Sequence, residues 1–322
     1  MQKFVQQIAF IILACTMFAG PRSAAASETG RFDRTLAVSG AVHLEVSNGS
    51  GSVQITGGAP GQVRIHGEVR ISDWMWSSKD RLSEIIAHPP IEQSGNTIRI
   101  GADHDSTRNV SISYTIEVPE QTEVESSVGA GNQTVRKIRG PAKLTTGSGN
   151  LFAESIHDDA HLFSGSGAVR AIAIGGELRA TSGSGSVDLT DVHGDIRSTT
   201  GSGTITIAQP SGRVTAKTGS GSINIRGAGN TLSARTGSGS LTIEGNPSPN
   251  SFWELDTGSG SVNLGVPPNA NFRLSASVHG GSINTQIPIV VEEQSRHALR
   301  ARIGTGSARI EVHSGSGSIH IH

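Results

Sequence analysis

From Gly129 onward the sequence repeats one phrase, Gly-Ser-Gly or a close variant followed by an apolar–polar–apolar triplet. Its first glycines fall at Gly129, Gly147, Gly165, Gly183, Gly201, Gly219 and Gly237, each 18 residues after the last. A unit this short cannot enclose a core of its own. It buries apolar side chains only against its neighbours, which is the condition for a solenoid.

Stacking the copies from the first glycine sorts the positions. Position 5 holds Leu151, Val169, Val187, Ile205, Ile223 and Leu241, and position 7 holds Ala153, Ala171, Leu189, Ile207, Ile225 and Ile243. Position 14 holds Ala160, Leu178, Ile196, Val214 and Leu232, and position 16 holds Leu162, Ala180, Ser198, Ala216 and Ala234. Apolar residues two apart mark strands with one buried face. The two pairs lie nine apart, so each turn carries two short strands and two corners. One corner takes position 10 (Ile138, Ile156, Ile174, Val192, Pro210, Ala228), and the other is Gly-Ser-Gly, where a missing Cβ permits positive φ and close backbone stacking. The expected fold is all-β: a parallel β-solenoid of about 18 residues per turn, two sheets facing each other.

Two longer turns keep the phase. Gly237 to Gly258 and Gly258 to His279 are each 21 residues, and they leave Trp253, Leu255, Leu274 and Ala276 on inward columns. The 18-residue spacing is then expected to resume at His297 and Gly315. Glu292 and Gln294 fall at core positions of that register, so Pro288–Arg296 is expected to bulge out, because unpaired buried charge is not tolerated.

The chain divides into three parts: 1–26, 27–128 and 129–322. In the first, Lys3, the apolar run Ile8–Ala19 and Ala24-Ala25-Ala26 form an export signal with its cleavage site. Ile11–Cys15 also passes as a loose lipobox, but Met17-Phe18-Ala19 continues the apolar run past Cys15, which favours ordinary export over lipidation. Cys15 is the single cysteine, so the mature chain has no disulfide. The second part begins with solenoid-like alternation at Val42–Val46, Val53–Ile55 and Val63–Ile65. It is then interrupted by an irregular segment with one short helix, Ser77 to Ala87, capped by Ser77 and ended by Pro89–Pro90. That helix, with Trp74 and Trp76 packed under or beside it, is expected to cover the exposed end of the coil. With 42 glycines and 4% aromatic residues the composition suits a narrow coil of small aliphatics. The mature chain has no apolar run long enough for a membrane span, and a net charge of −1 implies no general attraction to nucleic acid.

The segment Ile112–Val124 (ISYTIEVPEQTEV) and rungs such as Thr218–Ile225 resemble the bacterial "putative adhesin" β-strand-repeat family of unknown function and, more distantly, the auto-transporter adhesin head domain. The likeness runs from about Phe32 to the C-terminus. It implies an exported β-solenoid and brings no catalytic residues with it.

Outward positions supply the candidate surfaces. Position 15 of the second sheet forms a basic file, Lys143, His161, Arg179 and Arg197, suited to an anionic polymer such as an acidic polysaccharide. Asp159, Glu177 and Asp195 at position 13 share that face, and pairing with them is the favoured reading of the file. Phe152 and Phe163 point outward on one rung, a possible partner surface, and Trp74 and Trp76 could stack on sugars. His157 and His193, two rungs apart, are too distant for one ion, and His279 with His297 lacks an evident third ligand, so no metal or cofactor is expected. Asp188, Asp191 and Asp195 are too sparse to name an acid and a base. A threonine column at position 18 (Thr200, Thr218, Thr236, Thr257) is expected to bond backbone. These features point to an exported, non-enzymatic, adhesin-like protein of the envelope or surface, binding a polysaccharide or cell-surface component. The alternatives are a carbohydrate-active β-helix enzyme and a scaffold self-associating through its terminal strands.

Overall fold

The computed structural model describes residues 28–71, 78–101 and 110–322. They form two long sheets, one of 14 strands and one of 15, laid face to face. In the first sheet Leu151, Val169, Val187, Ile205, Ile223, Leu241 and Val262 lie side by side in parallel register. In the second, Ala160, Leu178, Ile196, Val214, Leu232 and Trp253 do the same. All these side chains are buried between the sheets, so residues 18 apart do sit over one another. Fourteen strand spacings of about 4.8 Å give the second sheet a length of about 67 Å.

In the middle of the rod the glycine corner is set by proximity, while the expected positive φ occurs at Gly51, Gly131, Gly149 and Gly281 towards the ends. A Cβ on Gly203 would lie 2.0 Å from the carbonyl oxygen of Gly185, and one on Gly221 would lie 1.8 Å from that of Gly203. Backbone stands in the way, so no side chain can move aside. Position 18 closes the corner: the Ser182 and Thr200 hydroxyls donate to the carbonyls of Gly167 and Gly185 and accept from the amides of Gly185 and Gly203. The expected threonine column thus bonds backbone and is buried. Left-handed non-glycine residues lie at the opposite corner, where Lys137, Ser155, Ala173, Asp191 and Gln209 all have φ between 54° and 57°. Each turns the chain so that the next residue, from Ile138 to Pro210, points into the core. Gly227 takes the same place one turn later.

The order of turns changes at both ends. At the N-terminal end Val42–Ser50 pairs with Thr122–Ala130, and Gly129 stacks on Gly49, 80 residues away. Gln62–Ile71, expected as a further solenoid strand, instead runs antiparallel to Glu28–Ala37 and Val110–Pro119. The short connection Ala59-Pro60-Gly61, with Gly61 at φ +89°, reverses the chain within one sheet rather than carrying it across to the other. The helix Ser78–Ala87 packs over Glu28–Ala37: Leu82 and Ile86 sit against Gly30, and Arg34 Nη2 donates to the Ala87 carbonyl at 2.9 Å. It covers the end of the core as expected. The proposed cap Ser77, Trp74, Trp76 and the whole export signal with Cys15 lie outside the described residues.

At the C-terminal end the expected register through His297 and Gly315 does not hold. Ala308–Ser316 inserts between Phe252–Ser259 and Phe272–Gly280, and Gly315 stacks on Gly258. Ile319–Ile321 is likewise flanked by Val262–Gly265 and Ile283–Thr285. The last strand is therefore interior: its backbone is paired on both sides. Self-association through it is excluded by those pairings. Pro288–Arg296 does leave the core, but as part of an antiparallel hairpin, in which the exposed edge strand Val290–Gln294 pairs with Ala298–Ile303 through a register shift between Val291 and Glu293. A bulge and outward glutamates are common protections of such an edge.

Candidate interaction surface

The strands of the second sheet carry three outward files. Along the middle one, in register on successive strands, run Glu45, Glu125, Lys143, His161, Arg179, Arg197, Thr215, Ser233 and Glu254. Lys143, His161, Arg179 and Arg197 are all exposed and stand about 4.8 Å apart along the rod. The structure therefore brings these four together in one row.

Pairing with the position-13 acids, the favoured reading of this file, is only partly what the structure contains. Arg179 lies 3.6 Å from Glu177, and Lys143 pairs instead with Glu125 at 2.7 Å. Asp159 and Asp195 turn to the backbone, accepting from the amides of Glu177 and Arg213 at 2.7 and 2.8 Å. In each case the amide of the next strand lies closer to the short aspartate than the basic head group two residues on, His161 or Arg197. Among the described residues Arg197 has no carboxylate within ion-pair distance, and neither do Arg213 and Lys217, which flank Thr215 on the adjoining strand. Arg213 and Lys217 escaped the sequence reading because they occupy positions 13 and 17, not 15. Only stacking the rungs shows that they border Arg197.

Phe152 and Phe163 do not form one site. Phe163 lies on the second sheet, 49% exposed, in file with Thr145, Thr181, Thr199, Lys217 and Arg235. Phe152 lies on the outside of the first sheet, half-buried between the guanidinium groups of Arg136 at 5.0 Å and Arg170 at 6.0 Å. Those cations occupy the ring and account for its outward position. The three aspartates of one rung are also divided. Asp188 faces outward from the first sheet, Asp191 sits in the left-handed corner, and Asp195 is on the second sheet. An acid and base pair cannot be made across the core. The histidines are spread as well: His313 Nδ1 lies 3.1 Å from the Ser277 hydroxyl, and no three His, Cys, Asp or Glu side chains gather as metal ligands among the described residues.

A further charged cluster lies at the N-terminal end of the same file. Arg99 Nε donates to Glu45 at 2.7 Å, while His43 lies between Glu45 and Glu123. The Arg99 hydrogen bond holds the Glu45 carboxyl below its ordinary value against the opposing effect of desolvation, with His43 adding to the lowering.

These features define a parallel β-solenoid whose outer files are set by strand register. Residues 211–322 match the profile of the family described as Toastrack DUF4097, which bears out over that stretch the resemblance carried by the Thr218–Ile225 rung. No curated protein matches the chain. Solved structures similar to it include a "putative cell adhesion protein" from Clostridium sporogenes, 13% identical, covering 91% of this chain and 99% of that one, with a TM-score of 0.22. A "putative adhesin" from Bacteroides fragilis is 13% identical over 91% of this chain and 97% of its own, with a TM-score of 0.31. A "putative lipid binding protein" from Parabacteroides distasonis is 15% identical over 73% and 96%, with a TM-score of 0.37. No helix among the described residues is long and apolar enough to cross a membrane.

Proposed function

We propose that this protein is an exported, non-enzymatic binding scaffold of the cell envelope or surface, acting in the manner of an adhesin. Residues 1–26 direct export, residues 27–128 form the lidded first turns, and the coil beyond them presents the binding face. The observation that carries this reading is the cluster of Arg197, Arg213 and Lys217, exposed on a rigid sheet and, among the described residues, without carboxylate partners. Charges left unneutralised on a surface otherwise rich in ion pairs favour an oppositely charged partner and steer its approach. The strands hold the side chains at fixed spacing, so little order has to be gained on binding.

The test is retention of the purified protein on isolated cell-surface material and on a panel of soluble glycans, with a parallel assay for released reducing or unsaturated ends. Retention without release is the expected result. Turnover of any glycan would replace this reading with that of a carbohydrate-active enzyme.

A further inference from the structure

The exposed Phe163 and the unpaired cations lie on the same face, and their arrangement narrows the partner. Phe163, Thr181, Thr199, Lys217 and Arg235 follow one another along a single file, with His161, Arg179 and Arg197 in the file beside it. A ligand running along the rod would meet an aromatic face, two hydroxyl groups, then cations, over three strand spacings or about 14 Å from Phe163 to Lys217.

From this we infer that the outer face of the second sheet docks a carboxylate-bearing polysaccharide of the polyuronate type, lying along the rod. The inference rests on the scaffold reading above and specifies its ligand. Arginine forks match carboxylates two bonds at a time, and an aromatic ring packs against the C–H face of a sugar. The hydroxyls of Thr181 and Thr199 supply both donors and acceptors for sugar hydroxyls between those anchors.

The same face argues against two other polyanions. Asp159, Glu177 and Asp195 stand along its border, one per rung. A dense phosphate array, in nucleic acid or on an anionic membrane, would meet those acids as well as the cations. A membrane would also require apolar side chains to insert, and the large exposed apolar residues among the described ones are Phe163, Val290 and Val291, of which only Phe163 lies beside these cations, the two valines being on the edge strand at the C-terminal end of the sheet. A polyuronate places one carboxylate per sugar and leaves uncharged C–H surface between.

Polygalacturonate, its fully methyl-esterified form and phosphatidylglycerol vesicles serve as probes, with the whole purified protein. Polygalacturonate is expected to bind in a salt-sensitive manner, and the other two much more weakly. The double variant Arg197→Glu/Lys217→Glu is expected to lose about tenfold or more in affinity. Phe163→Ala is expected to lose about threefold to tenfold, with less change in salt dependence. All three positions are exposed, so melting temperatures close to the parent confirm that the fold is kept. Polygalacturonate binding that survives the double variant unchanged overturns the site. Equal binding of the ester, or preference for vesicles, overturns the ligand class. Failure to bind polygalacturonate while cell-surface material still retains the protein removes the polyuronate but leaves the scaffold, whereas failure on both removes the scaffold itself.

Discussion

The middle of the rod and its two ends are built from the same strand and the same glycine corner, yet they complete the corner's hydrogen bonds differently. In the middle, the amides of Gly167, Gly185, Gly203 and Gly221 each find a Ser or Thr hydroxyl three residues before them. At the ends that column holds Val128 and Val278. Near Val128 the amide of Gly131 reaches the Ser148 carbonyl instead, and on the strand beside Val278 the amide of Gly317 reaches the Gly280 carbonyl although Ser314 precedes it. Where a neighbouring turn supplies a backbone partner the column can be apolar; where none is supplied, a hydroxyl is required. The ends also abandon the parallel rule, closing with antiparallel strands, a helix and a charged edge. An identical repeat could stack without limit, and these departures are what stop it.

That contrast can be broken most severely at the glycine corner. Gly201→Ala is expected to destabilise by about 3 kcal/mol or more, because its Cβ would run into the Gly183 carbonyl, which belongs to fixed backbone. Gly49→Ala, where nothing lies within 4 Å, is expected to change the denaturation midpoint little. Comparable losses in both would show that the corners do not differ. Next in size is Thr200→Val, which places the end-type residue in the middle. It removes two hydrogen bonds and is expected to cost about 1–2 kcal/mol in chemical denaturation, with a free Gly203 amide visible as faster hydrogen exchange.

A smaller effect of opposite sign is expected from Ser198→Ala. Ser198 is fully buried on the column occupied by Ala180 and Ala216, and its hydroxyl has no partner among the described residues. Restoring alanine is expected to raise stability by about 1 kcal/mol, and a lower midpoint would contradict it. The smallest effect is at the N-terminal end. The Glu45 carboxyl is held below its ordinary value by Arg99, so its contribution is complete above pH 4.5 and is lost as the pH falls through its lowered value. Acid melting curves of the parent and of Glu45→Gln should therefore converge at low pH and separate slightly above it.

The inward columns were legible because two apolar positions recur with the period of the turn. Trp253, Leu255, Leu274 and Ala276 could be placed even across the longer turns, and all are buried. The end topology was not legible. The alternation in Ala308–Ser316 fits the side of Phe252–Ser259 or of Phe272–Gly280 equally well, and the strand in fact has both as neighbours. The left-handed corner was missed as well, because lysine, serine, alanine, aspartate and glutamine there share no chemistry that announces a positive φ. Among the candidate residues the basic file was visible in advance. That Arg197 would be left without an ion partner was not, since that turned on whether Asp195 reached the arginine or a backbone amide.

The amino-acid order alone determined an 18-residue turn of two strands and which side chains line it, because a strand's faces alternate locally and a repeat forces each copy onto the next. Tertiary structure decided which turns are neighbours at the ends and which charges on the second sheet remain unpaired. Both depend on contacts between segments up to 80 residues apart, such as Gly49 with Gly129, where closing the chain and filling the last exposed strand outweigh the local pattern.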